Sequence, residues 1–202
     1  MQAALLSLHY LPDVLWFRNY LDYETIWIEK HENFVKSTGR NRCEIAGANG
    51  RQMLTIPLQG GRDHHQRYTD VKIAYQTNWQ DSHWHSIKSA YGSAPYYEFY
   101  AHIFQKFYEK QYPFLYDFNL ELLHAVLGVL KVKKGFELTT EFEKPVIDKV
   151  DLRSYRGALT GGAALPRYYQ VFEERHGFMA NLSVLDLIFN MGPESGGYLR
   201  GE

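Results

Sequence analysis

The chain has 202 residues, 45% hydrophobic and 22% charged, with a formal net charge of -1. That length can bury a full hydrophobic core unaided, and the charge balance excludes a strong overall pull toward nucleic acid or an anionic membrane. Cys43 is the only cysteine, which rules out an internal disulfide and a cysteine-based zinc cluster and favours a reducing compartment.

The N-terminal stretch MQAALLSLHYLPDVLWF has no basic leader, and its apolar run stops at His9. It reads as neither a secretory signal nor a membrane span, and the protein is expected in the cytoplasm. Ala3–Ser7 reads as a buried strand, Asp13–Tyr20 as a helix opened by Pro12, and Thr25–Glu29 as a second strand, which together make a parallel βαβ unit. Arg42–Ala46 and Arg51–Leu58 flank the turn Gly47-Ala48-Asn49-Gly50 and form an antiparallel hairpin. Gly60–Tyr68 is a polar loop, and Asp70–Tyr75 alternates as a half-buried strand.

Three helices follow. Asn78 and Asp81 resemble a capping box for Trp79–Tyr91, Pro95 opens a second helix reaching about Lys110, and Asp117 caps a third that runs to about Lys131. Phe136–Thr139 and Tyr168–Phe172 read as strands, Ser154–Pro166 as an irregular loop, and Val184–Asn190 as a short helix framed by Ser183 and Gly192-Pro193. The fold class is α/β (or α+β): a mixed sheet starting with a βαβ unit plus a hairpin, packed by three consecutive helices. Residues 1–202 read as one domain, with 195–202 a loose tail.

Helical geometry sorts the histidines. His83 and His85, two residues apart, point about 200° apart and cannot share a metal as an i,i+4 pair can. His83 lies on the aromatic stripe Trp79, Ile87, Tyr91, whereas His85 joins the wet face with Asp81, Lys88 and Ser89. His64 and His65 sit in the polar loop as solvated residues. Cys43, inside a strand, reads as a small buried hydrophobe.

The polar candidates converge on the strand ends. Lys36-Ser-Thr-Gly-Arg-Asn-Arg42 concentrates three cations and two hydroxyls on one connector of a neutral chain, a local anion site built from guanidinium forks and loop amides. Its bland alternative is a solvated loop paired to Glu29, Glu32 or Glu44. His9 and Tyr10 lie in the connector after the first strand, where open α/β sheets place ligands, and His31 and Glu32 follow the second strand on the same edge. The candidate site is therefore His9, Tyr10, His31, Glu32, Lys36, Arg40, Asn41 and Arg42, with His83 added from the aromatic helix. No P-loop, dinucleotide fingerprint, nucleophile elbow or His-Glu-x-x-His helix occurs, so no cofactor or metal is assigned.

The ordered segments SLHYLPDVLWF (7–17), KSTGRNRCEIAGANG (36–50), LTIPL (54–58), NWQDSHWHSIKSAYGSAPYYEFY (78–100), DFNLELL (117–123) and HGFMANLSVLDLIFNMGPES (176–195) resemble the WbqC-like family of bacterial proteins. Arg40-Asn41-Arg42-Cys43 and the closing Gly-Pro-Glu-Ser look like its Bacteroides–Flavobacterium branch. Tyr10, Pro12, Lys36, Asn41, Arg42, His83 and Asn190 match the family pattern, while Ser7-Leu8 departs from the Gln-Pro of many relatives. The resemblance implies a cytoplasmic protein associated with O-antigen and other surface-polysaccharide gene clusters.

Two functions are therefore in view. One is a transferase of surface-glycan or envelope metabolism: Lys36, Arg40 and Arg42 hold a phosphate-bearing, small anionic or nucleotide-linked donor, and His9 or His83 is the acid/base group. The other is a non-catalytic binding or scaffold protein, in which the 16% aromatic content serves partner contacts or a homodimer.

Overall fold

The computed structural model describes residues 2–60, 66–155 and 165–202. Its centre is a four-stranded parallel sheet. Strand β1 (Ala3–Ser7) pairs with β2 (Thr25–Glu29), so that Ser7 stands opposite Glu29, with helix α1 (Val14–Asp22) connecting them. Four of the five β1 residues are buried, as expected of an interior strand covered on both faces. Asp13 caps α1 by accepting from the Trp16 amide at 2.9 Å, and the helix buries Val14, Leu15, Trp16, Phe17 and Tyr20. At its other end, the Lys134 ammonium donates to the carbonyls of Tyr20, Leu21 and Tyr23, where the helix dipole favours a cation.

The antiparallel hairpin of β3 (Arg42–Gly47) and β4 (Gly50–Thr55) forms its own two-stranded ladder beside the sheet. Gly50, at φ 102°, supplies the backbone conformation the tight turn needs. Helix α2 (Trp79–Tyr91) spans the expected residues; α3 (Tyr97–Gln105) and α4 (Leu115–Val129) follow. Asp117 lies in the first turn of α4 and does not cap it. The remaining sheet strands are short: β5 (Glu137–Leu138) joins β2, and β6 (Lys149–Asp151) joins β1, giving the order β5-β2-β1-β6.

Besides the Asp117 cap and the early end of α3 at Gln105 instead of about Lys110, three expectations differ from the structure for identifiable reasons. Asp70–Tyr75 alternates in burial only as far as Ile73, with Ala74 buried beside it, and its partners change from residue to residue. Isolated bridges join Ile73 to Leu58 and Lys72 to Phe114, after a 3-10 turn at Tyr68–Asp70. Tyr168–Phe172 is not a strand, because side chains take over its pairing. The buried Gln170 amide bonds both the N–H and the C=O of Met179, and the Tyr168 hydroxyl donates to Asp186 at 2.6 Å.

The predicted tail is an ordered helix. After α5 (Glu173–His176) and α6 (Val184–Met191), helix α7 (Ser195–Arg200) packs on α1 and α6 with Leu199 buried, and the Tyr198 hydroxyl donates to the Pro166 carbonyl at 2.7 Å. No helix among the described residues is long and apolar enough to cross a membrane.

Candidate functional site

The carboxyl ends of the parallel strands carry a buried ionic network. Arg40 donates through Nε to Glu32 Oε1 at 2.9 Å, and through Nη2 to Glu32 Oε2 at 2.6 Å and Ser7 Oγ at 2.7 Å. Its Nη1 donates to Thr38 Oγ1 at 3.1 Å. Beside it, Arg153 bridges Glu29 and Asp151 at 2.9 and 2.7 Å, and Thr139 and the His31 amide donate to the second Glu29 oxygen. Arg40 and Glu32 are only 4% and 5% exposed. They hold each other, so Arg40 ties the basic loop to the strand end, with its guanidinium bonded to Glu32, Ser7 and Thr38. His31 is likewise engaged, its Nε2 lying 3.1 Å from the Thr139 carbonyl oxygen.

Immediately next to this network is a cleft of about 430 Å³ between the connector after β1, the basic loop, the hairpin and residues 180–183. His9, Tyr10, Asp13, Arg42, Arg51 and Tyr155 line it. Four non-glycine residues among those described have a left-handed backbone, and three of them line this cleft: Leu11 (φ 42°), Ser37 (φ 60°) and Asn181 (φ 56°). Such conformations cost on the order of 1–3 kcal/mol each and cluster where a site is being shaped.

The charges in the cleft are unequal in freedom. Arg51 donates to Glu44 and to the Ala180 carbonyl. The Arg42 side chain forms no hydrogen bond or ion pair with the described residues, and its Nε is buried without a partner. His9 is 4% exposed; its Nε2 also lacks a partner, and its ring packs on Gly39, where an added Cβ would fall 2.4 Å from Nδ1. Burial, and secondarily the Arg40 charge, lower its pKa to about 3, so it is a neutral imidazole at physiological pH. The Asp13 carboxyl accepts from Trp16 N and from the Tyr155 hydroxyl at 2.7 Å, and burial raises its pKa despite these bonds.

The other predicted residues lie apart. Lys36 and Asn41 line a smaller neighbouring cleft of about 240 Å³, which shares Arg42. Asn41 is buried and donates to the Ile56 carbonyl at 3.1 Å. His83 stands behind the first cleft: the Tyr10 hydroxyl lies 3.0 Å from its Nδ1 and 2.7 Å from the Tyr108 hydroxyl. Trp79 meets the His83 ring edge-on at 5.1 Å between centroids. Burial lowers the His83 pKa to about 4, so the ring that meets the Tyr10 hydroxyl is neutral at physiological pH. His85 is exposed on the opposite face, bonded to the Asp81 carbonyl. His64 and His65 lie outside the described residues. Cys43 is buried, and burial pushes its thiol pKa up.

Asp13, Arg51, Tyr155 and Asn181 were missed by sequence reasoning. Only Asp13 had a local signal, its place just after Pro12 at a helix start; the others arrive through the tertiary fold. The aromatic surface expected of a partner site is sparse on α3, where Tyr97 and Phe104 are buried and Phe99 is the one large hydrophobic ring that is exposed. Among the described residues no group of three or more His, Cys, Asp or Glu is placed to hold a metal ion.

Comparison with known proteins adds the family. The model of the WbqC-like protein family matches residues 8–153. The chain is 25% identical, over an alignment of 230 residues, to "Uncharacterized protein Rv1507c" of Mycobacterium tuberculosis, with 98% of this chain and 97% of that one covered. No solved structure matches.

Proposed function

Because the chain belongs to the WbqC-like protein family, we propose that it is a transferase of bacterial surface-polysaccharide or related envelope metabolism, binding the anionic part of an activated donor in the 430 Å³ cleft. The observation that carries this reading is the convergence on one cleft of the unpaired Arg42 guanidinium with three strained non-glycine residues. Strain of that kind persists where the surroundings hold a loop in a fixed shape, and an uncommitted arginine at the first strand residue after such a loop suits phosphate oxygens.

Arg42 anchors the donor anion. The Asp13 carboxylate, oriented by Tyr155 and Trp16, takes the proton of an incoming hydroxyl. His9 enters as a neutral ring; burial is the larger cause of its lowered pKa, and an anion bound beside it offsets the smaller contribution of Arg40. The aromatic residues are spent mainly on packing, which favours this reading over a scaffold acting through an aromatic surface.

A thermal-shift screen against nucleotides and nucleotide sugars tests it. At least one nucleotide sugar raises the unfolding midpoint, and Arg42→Ala weakens that ligand roughly tenfold or more, as loss of a charged hydrogen bond implies. A screen in which none shifts the midpoint, or in which Arg42→Ala binds like the wild type, defeats the proposal.

A further inference from the structure

Beyond the donor cleft lies a second one of about 720 Å³, at the carboxyl ends of β1, β2 and β6, where open parallel sheets place ligands. The two clefts share one wall. Thr38 and Tyr155 line both, and the Tyr155 hydroxyl on that wall is bonded to Asp13 of the donor cleft.

The chemistry of the second cleft differs from that of the first. Its guanidinium groups are matched by carboxylates, Arg40 by Glu32 and Arg153 by Glu29 and Asp151. Lys144 is the one lining cation without an ion pair among the described residues. An anion entering here would face the Glu32 and Asp151 carboxylates, whereas a hydroxyl can donate to Asp151 and accept from a guanidinium. One side of the cleft is apolar. Val35 and Phe142 are 43% and 48% exposed on its lining, and Ile147, next to the lining residue Val146, is 83% exposed. Val35 and Phe142 are two of the six large hydrophobic residues exposed among those described, and their meeting on one lining marks a contact surface. Arg153 lies over the Phe142 ring at 4.6 Å and steadies it.

We infer that this second cleft binds a neutral, hydroxyl-bearing molecule with an apolar face, the acceptor of the transfer. Its role rests on the donor reading above; its occupancy rests on the cleft alone. The acceptor lies with its polar side over Arg153 and Asp151 and its apolar side on Val35 and Phe142, and one hydroxyl reaches the Tyr155 wall. There the hydroxyl oxygen bonds to the donor's electrophilic atom. The bond from that atom to the phosphate oxygen breaks with its electron pair remaining on the phosphate, and the hydroxyl proton passes to Asp13.

The test uses the full chain with valine methyls labelled for NMR, titrated separately with n-hexyl β-D-glucoside, a neutral polyol with an apolar arm, and with inorganic pyrophosphate. The glucoside shifts the Val35 and Val146 methyl resonances; Phe142→Ser or Val35→Ser weakens it at least fivefold, and Arg42→Ala leaves it unchanged. Both serine changes fall on partly exposed side chains, and the fold of each variant is checked by its remaining methyl spectrum. Absence of glucoside shifts at Val35 and Val146, or indifference of binding to both serine variants, overturns the inference. Glucoside binding in a protein that shows no response to pyrophosphate or to any nucleotide sugar supports the occupancy and overturns the acceptor role.

Discussion

Replacing Arg40 by methionine separates a structural clip from a ligand anchor. In the native protein Arg40 satisfies both oxygens of Glu32 and also bonds Ser7 and Thr38, all in a region where the two charged side chains are 5% and 6% exposed. Methionine restores much of the aliphatic stem but leaves the Glu32 carboxylate buried with Ser7 as its remaining side-chain donor. Breaking a buried pair in this way costs about 3–5 kcal/mol. Burial already raises the Glu32 pKa, against the opposing effect of Arg40, and losing Arg40 raises it further. The stranded carboxyl therefore takes up a proton as pH falls, and the deficit relative to wild type narrows between pH 8 and pH 5. Urea unfolding followed by circular dichroism at both pH values reads this directly, and Glu32→Gln combined with Arg40→Met recovers roughly 2 kcal/mol of the loss. A single variant within about 1 kcal/mol of wild type, no better in the double variant and deficient in donor binding, refutes the clip and returns Arg40 to the anion site.

Other outcomes follow from single residues. Asp186 is fully buried and its pKa is raised from 3.8 to about 6, so its ionised form is disfavoured in the folded state. Its contribution is present below pH 4 and lost as pH rises toward 6; wild-type stability measured against Asp186→Asn falls by up to about 3 kcal/mol across that window. A difference independent of pH contradicts the assignment. Gly39→Ala places a methyl against the His9 ring, 2.4 Å from Nδ1, and costs about 1–3 kcal/mol while weakening donor binding; unchanged unfolding and binding would mean the ring moves freely. Cys43, buried and with a raised thiol pKa, reacts with iodoacetamide on the order of a hundredfold more slowly in the native protein than in urea; comparable rates would place it at the surface.

The parts of the fold legible in the sequence are those whose signals are local. Pro12 and Asp13 mark the start of α1, Asn49-Gly50 marks the hairpin turn, and the spacing of Trp79, His83, Ile87 and Tyr91 marks α2. Strand β6 has only three residues and gains its identity from pairing with β1, and α7 from packing on α1, so neither is written in its own segment. The site divides the same way. That His9, Tyr10 and Arg42 meet at a strand end follows from chain connectivity and the parallel βαβ unit. That Arg40 is taken by Glu32, while Tyr155 and Asn181 reach the cleft from more than a hundred residues away, depends on contacts no local pattern encodes. The basic loop thus held a real cluster of cations, but its members divide among Arg40 paired with Glu32, the exposed Lys36 on a neighbouring cleft, and Arg42, whose buried Nε has no partner.

The most direct measurement is the 15N–1H spectrum of the arginine Nε groups during titration with pyrophosphate or a nucleotide sugar. The Arg42 Nε, buried and unpartnered in the free protein, is the arginine Nε that moves most, and Arg40 stays fixed by Glu32. A titration that shifts Arg40 while Arg42 remains still, or that moves no arginine at saturating ligand, contradicts the account of the cleft as a donor site.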